Sequence, residues 1–183
     1  ADGPDQPRIV EIAGSLIAAD GTVIESFEHL VKPSGWAISE AAFAAHGITL
    51  ERCEAEGVPI ADAMESFSVL LDMAKVVTGF NVSFDLKLTR GELRRLGLPD
   101  RYGEVPDFCS MWGSRKLCGK LPNLALACQV VLGIEHTKRQ GAHSAAADRD
   151  AAAKLYLELA RRGLVVPTLR ASDKPMPGFA PPV

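Results

Sequence analysis

Two short segments carry residues whose types and spacing could do chemistry. The first is Asn81-Val82-Ser83-Phe84-Asp85. It follows Val76-Val77-Thr78-Gly79-Phe80, a short β-branched and apolar run that suits a buried strand. It opens a helix expected from Ser83, as N-cap, to Leu96, with Gly97 as the stop. Asp85 would then sit at the C-terminal end of a strand, where open α/β sheets place their sites. The plainer role for such an aspartate is a favourable charge in the first turn of a helix. The second segment is Gly141-Ala142-His143-Ser144-Ala145-Ala146-Ala147-Asp148, in which a histidine leads into a helix and a carboxylate follows among small side chains. Burying Asp148 beside Ala147 and Ala151 is costly unless a cation neutralises it. A capping histidine and a surface aspartate are the ordinary alternative.

The elements that must hold these residues follow from periodicity and turn chemistry. Arg8–Ile17 and Thr22–Val31 are apolar-rich and joined through Ala18-Ala19-Asp20-Gly21, and Asp-Gly between two such runs predicts a hairpin. Ser39 is a suitable N-cap for a short helix to Ala45, which His46-Gly47-Ile48-Thr49 interrupts. Ile60, Met64, Phe67, Leu71 and Ala74 recur at helical spacing through Lys75. Two further helices are expected over Asn123–Leu132, ended by Gly133, and Ser144–Arg162, ended by Gly163. The tail from Thr168 to Val183 holds four prolines and reads as a linker, so residues 1–167 are taken as one domain. This order of elements predicts an α/β domain on a mixed sheet with helices on both faces.

Composition sets the outer limits. Of 183 residues, 47% are hydrophobic and 23% charged, ordinary values for a globular domain. No apolar run approaches the ~18 residues a membrane span needs, so no membrane partner is expected. Ala1–Arg8 is polar and does not resemble a signal peptide, which leaves a cytoplasmic location as the expectation. Cys53, Cys109, Cys118 and Cys128 lack the short paired spacing of a metal knuckle and read as reduced thiols. The net charge of −3 hides an asymmetry: residues 1–86 hold 4 Lys/Arg against 14 Asp/Glu, and residues 87–183 hold 16 against 9. Much of the excess positive charge falls between Lys87 and Lys120. It is either a solvated helix face or a basic wall for a phosphate backbone.

Taken together, the two segments resemble the DEDDh exonucleases, the family of the proofreading (epsilon) subunit of bacterial DNA polymerase III. Asn81, Phe84 and Asp85 look like that family's second motif, and His143 with Asp148 like its third. His46-Gly47-Ile48-Thr49 resembles its loop at the 3′ end of the substrate, and Arg8–Ile12 its second strand. The likeness runs from about Pro7 to Leu159. It implies a ribonuclease H-like fold that removes nucleotides from the 3′ end of a DNA or RNA strand, with two Mg²⁺ or Mn²⁺ ions held by carboxylates. By that resemblance Asp85 and Asp148 are metal ligands and His143 is the general base. His46 and Gly47 then lie against the substrate, Phe84 sits by the terminal base or packs beneath the site, and Asn81 binds the substrate or, as the preferred role, braces its loop. The expected partners are a single-stranded 3′ end and, by the same resemblance, a DNA polymerase.

The family's first motif, Asp-x-Glu on a strand just before the matching segment, has no counterpart here. Asp2 and Asp5 lie in a polar stretch broken by Gly3 and Pro4, and Glu11 belongs to the second strand. The first strand is therefore expected to be absent, along with two of four metal ligands. An exonuclease active only in a longer form is one reading. A non-catalytic module of the same fold, binding nucleic acid or a polymerase, is the other.

Overall fold

The computed structural model describes residues 7–99, 103–136 and 144–169. The predicted hairpin forms β1 (Glu11–Ile17) and β2 (Val23–Leu30), antiparallel with Glu11 opposite Leu30 and Leu16 opposite Glu25. Gly21 takes the positive φ of 91° that the turn requires, and Asp20 accepts the Thr22 N–H at 2.9 Å. Phe27 lies so closely over Gly14 that a Cβ there would stand 2.6 Å from its ring, which fixes a glycine in the middle of β1.

Ser39 caps α1 (Glu40–His46) as expected, accepting from the Ala42 N–H, and Gly47 closes it in the left-handed conformation. A second helix, α2 (Leu50–Glu56), follows at once under a Thr49 cap. It was not anticipated, because its seven residues bury only Cys53 and show no apolar period. The helix over residues 60–75 is α3 (Ile60–Met73), and the buried strand after it is β3 (Val77–Gly79). Next comes α4 (Val82–Arg95). It starts before Ser83, with Asn81 rather than Ser83 at the cap position.

The strand β4 (Asp107–Cys109) pairs parallel with β3 and runs into α5 (Ser110–Cys118), neither of which periodicity had marked. The helix expected over residues 123–132 is split into α6 (Leu124–Ala127) and a π-helical turn, Cys128–Leu132. Last is α7 (Ala145–Arg161), capped by the Ser144 hydroxyl.

Among the described residues the strands give mixed pairing in two pieces, antiparallel β1–β2 and parallel β3–β4. Among the described residues no strand is hydrogen-bonded between β1 and β3. The helices lie on both faces: α3 and α4 pack on the ribbon and on the parallel pair respectively, while α5 packs on β3 and β4. Helix α7 touches both β1 and β3 and so bridges the two pieces. Two apolar cores result. One gathers Phe108, Leu124, Ala127, Val131, Leu155 and Leu159, and the other gathers Ile9, Val31, Ala63, Met64 and Leu93.

One buried ionic tie joins the start of the domain to α4. Glu92 is 1% exposed and receives the Arg8 guanidinium through two bonds of 2.7 and 3.0 Å, with Arg95 at 3.2 Å on the same carboxylate. Arg8 also lies over the Trp36 ring, 5.3 Å from its centroid. Removing one partner of a buried pair leaves a desolvated charge and costs about 3–5 kcal/mol. Glu92→Ala is therefore expected to lower the denaturation midpoint sharply, while Arg8→Met with Glu92→Met should recover much of that loss. Denaturant titration of the three proteins checks this, and a harmless Glu92→Ala would show the tie to be dispensable.

Candidate active site

Asp85 and Asp148 lie near enough for the charge of one to act on the other. β3 ends at Gly79, the chain turns through Phe80 and Asn81, and Asp85 arrives in the first turn of α4. Its carboxylate leans back over the strand end, where a Cβ on Gly79 would lie 3.2 Å from Asp85 Oδ2. A side chain at that position would crowd the carboxylate, which would have to shift by a few tenths of an ångström. Asp148 sits in the first turn of α7, which also packs on β3. The two charges act on each other. Asp85 is pushed up to about 6, first by the protein mass around it and then by the Asp148 charge. Water still reaches Asp85, whose side chain is exposed. Desolvation is therefore partial, and the like-charge repulsion is the contribution that the shared location supports most directly.

Sequence reasoning missed His136 beside Asp148 and Glu11 at the start of α7. His136 Nε2 lies 3.0 Å from Asp148 Oδ1 on a ring that is 14% exposed. The π-helical turn ends just upstream at Gly133, and wide turns of this kind often occur at functional sites. Glu11 accepts the Ala145 N–H at 2.7 Å and so adds a negative charge to the N-terminus of α7. No spacing pattern links Glu11 to Ala145, which are 134 residues apart.

The other predicted residues are distributed as follows. Phe84 is 52% exposed beside Asp85, an apolar ring open to solvent. Asn81 is exposed and its side chain makes no capping bond, although its carbonyl accepts the Phe84 N–H at 2.8 Å. His46 ends α1, and its Nδ1 accepts the Ile48 N–H at 3.0 Å. Burial pulls its imidazole below the usual histidine value, so the ring is neutral near pH 7 and carries its proton on Nε2. That Nε2 is buried and has no hydrogen-bond partner among the described residues. His143 lies outside the described residues.

The basic segment is only partly a wall. Arg90 is 7% exposed, and Arg95 is turned onto Glu92, so these two cations serve the interior. Arg115, Lys116 and Lys120 remain exposed.

Among the described residues no group of three or more His, Cys, Asp or Glu is arranged to hold a metal ion. Asp85 and Asp148 supply two hard oxygen donors whose mutual repulsion a divalent cation would relieve, so the residues present fit one side of such a site. The repulsion also gives a stability prediction. The folded Asp85 value lies above the unfolded 3.8, so the ionised carboxyl destabilises the fold. The contribution of this one carboxyl to stability is most favourable below about 4, falls as pH rises to about 6, and stays lowered above that. Asp85→Asn is expected to raise stability at pH 8 by on the order of 1 kcal/mol, discounted for solvent screening, and to leave it unchanged below pH 4. Melts at both pH values check this, and an equal shift at both would remove the electrostatic explanation.

Known proteins place this geometry in a family. Exonuclease I of E. coli, in complex with a dT13 oligonucleotide, superposes with a TM-score of 0.72 at 21% identity, covering 87% of this chain and 38% of that one. Exonuclease X in complex with 5′ overhanging duplex DNA gives 0.57 at 24% identity, covering 86% of both chains. A 3′-exonuclease solved for 3′-end-specific recognition of a histone mRNA stem-loop gives 0.68 at 14% identity, covering 96% of this chain and 86% of that one. The chain thus spans well under half of exonuclease I, and these likenesses establish the shared ribonuclease H-like fold. No curated protein matches the sequence. The exonuclease family model (RNase_T) matches residues 2–156, and the chain belongs to that family.

Proposed function

We propose that the protein is a metal-dependent 3′–5′ exonuclease of the DEDDh type, acting on the 3′ end of a single strand and complete only when an Asp-x-Glu strand joins the fold. The carrying observation is the meeting of Asp85 and Asp148 at the end of β3, close enough that the charge of one raises the other. Both would hold a divalent ion, Mg²⁺ or Mn²⁺. Two such ions, when bound, stabilise the attacking and leaving oxygens of an in-line displacement.

The chain's own residues do the rest. His143, neutral before the step, takes the proton of the attacking water. Asp148 is oriented by His136, which holds its Oδ1 at 3.0 Å. His46 offers the unpartnered Nε2–H to an oxygen of the terminal nucleotide, beside the backbone of Gly47. Phe84 stacks on the terminal base, and the exposed Asn81 borders it. A DNA polymerase partner and a cytoplasmic setting extend the same reading.

Among the described residues β1 pairs only with β2 and β3 only with β4. An added strand that paired with either of them would satisfy backbone groups that are costly to leave unmade, which supports the catalytic reading over a natively inactive module. The test uses single strands labelled at either end, incubated with the protein carrying the added strand in Mg²⁺, Mn²⁺ or chelator. Metal-dependent release of mononucleotide from the 3′ end is expected. Binding without cleavage under all conditions would leave the non-catalytic module as the better reading.

A further inference from the structure

The outward face of α5 has no role in the site so far described. Trp112, Arg115, Lys116 and the following Lys120 fall three, four and eight positions from the first and are all exposed, with no acidic residue in the helix. Trp112 is 55% exposed, unusual for the largest apolar side chain, and the Arg115 guanidinium lies over it, 5.7 Å from the ring centroid. The cations alone would be explained by the helix C-terminus, but the exposed indole would not. Beside it an open hollow of about 320 Å³ is lined by Asp107, Cys109, Trp112, Val166 and Thr168 among others, the small end of the roughly 300–1,000 Å³ range of ligand pockets.

This face is attached to the site. The first turn of α5 is fastened to the loop after β3, where the Phe80 carbonyl accepts the Met111 N–H at 3.0 Å and the Cys109 Sγ–H at 3.2 Å. From Phe80 the chain runs directly to Phe84 and Asp85. Two exposed aromatic rings, Phe84 and Trp112, are therefore set on either side of one short loop. The second of them is flanked only by cations on its own helix.

We infer that the α5 face is a binding track for single-stranded nucleic acid, with Trp112 stacking on a base upstream of the 3′ end and Arg115, Lys116 and Lys120 following its phosphates. Aromatic platforms interleaved with cations bind single strands in this way, because every base has a π-face and every linkage a charge. A neutral apolar partner would not call for a guanidinium over the ring and two further exposed cations within eight residues of it. The ligand is the one the nuclease reading supplies, and on that it rests, but where the strand lies is a separate claim.

The test measures binding of a fluorescent oligo-dT to the wild-type chain in chelator, where no hydrolysis occurs. Trp112→Ala is expected to weaken binding about tenfold or more, the scale of one base–aromatic stack. Arg115→Ala with Lys116→Ala should flatten the dependence of log affinity on log salt by about 0.7 for each phosphate that is no longer neutralised. With Trp36→Phe, Trp112 is the only indole, and its fluorescence should be quenched as the oligonucleotide is added. Unchanged affinity in both α5 variants overturns the track, as does a wild-type chain that binds no oligonucleotide. Altered binding combined with no cleavage by any form would keep the track and sink the nuclease reading. Cleavage with an unaltered KM in Trp112→Ala would do the reverse.

Discussion

Joining an apolar strand that carries Asp-x-Glu ahead of Ala1 is expected to raise Mg²⁺-dependent cleavage by at least about 10²–10³-fold over the chain beginning at Ala1. That is the scale on which removal of a charge-stabilising group is felt in catalysis. The charge balance explains why. Two divalent ions bring +4, while Asp85 and Asp148 together offer −2 and already repel each other. The strand should also stabilise the fold. Among the described residues β1 and β3 each have one strand partner, and pairing with the added strand would bring a row of backbone hydrogen bonds, each worth about 0.5–1.5 kcal/mol net. For a domain of this size each kcal/mol shifts the melting temperature by about 2–4 °C, so several bonds should be plainly visible. A version with Asn-x-Gln in the same strand separates the effects: it should keep the melting gain and lose the cleavage. Comparable metal-dependent cleavage by the chain beginning at Ala1 would disprove the need for the motif.

In that completed protein, His143→Ala is expected to depress turnover by about 10²–10⁴-fold, the usual contribution of a positioned general base. Metal affinity, read by calorimetry, and KM should change little. The pH profile supplies the second readout. An imidazolium cannot accept a proton, so wild-type turnover should fall as pH drops through the histidine range near 6.5. Asp85, lifted to about 6 without an ion, must also be ionised, and it adds to the same acidic limb. A bound cation would lower that value, so rising Mg²⁺ should push the Asp85 part of the limb to lower pH. The variant should lose the histidine part and keep the carboxylate part. Unchanged turnover would show His143 to be structural.

What sequence could reveal depended on whether a feature was local. The hairpin was legible because Asp20-Gly21 codes its turn within the chain, and α1 and α7 because Ser39 and Ser144 announce their caps. Asp85 and Asp148 stood out because each sits in a short motif, and the resemblance to one family's motif order drew attention to the pair, which lies close enough to interact. By contrast, β4 is three residues long, and α5 carries a basic face with only Ser110 and Ser114 fully buried, so neither gave an apolar period. The partners of Glu92, Glu11 and His136 were hidden for a different reason. Arg8 and Glu92 are 84 residues apart, and nothing at either position encodes the other. Arg90 and Arg95 were read as surface charges because periodicity cannot show that a guanidinium is turned inward.

Helix α7 gives the divided sheet a thermodynamic meaning. In a continuous sheet, cooperativity passes strand to strand through the hydrogen-bond ladder. Among the described residues the two ladders do not meet. The units around Leu155 and around Met64 are instead tied by α7, which touches β1 and β3, and by α4, which lines the Met64 core through Leu93 and packs on β3 and β4. Two such units can open at different free energies. Amides of α7 and α4 should then exchange among the slowest, and those of β1–β2 at a rate different from those of β3–β4. Asp148 and Asp85 stand on these two tying helices, so the site should stay closed to exchange longer than either ladder.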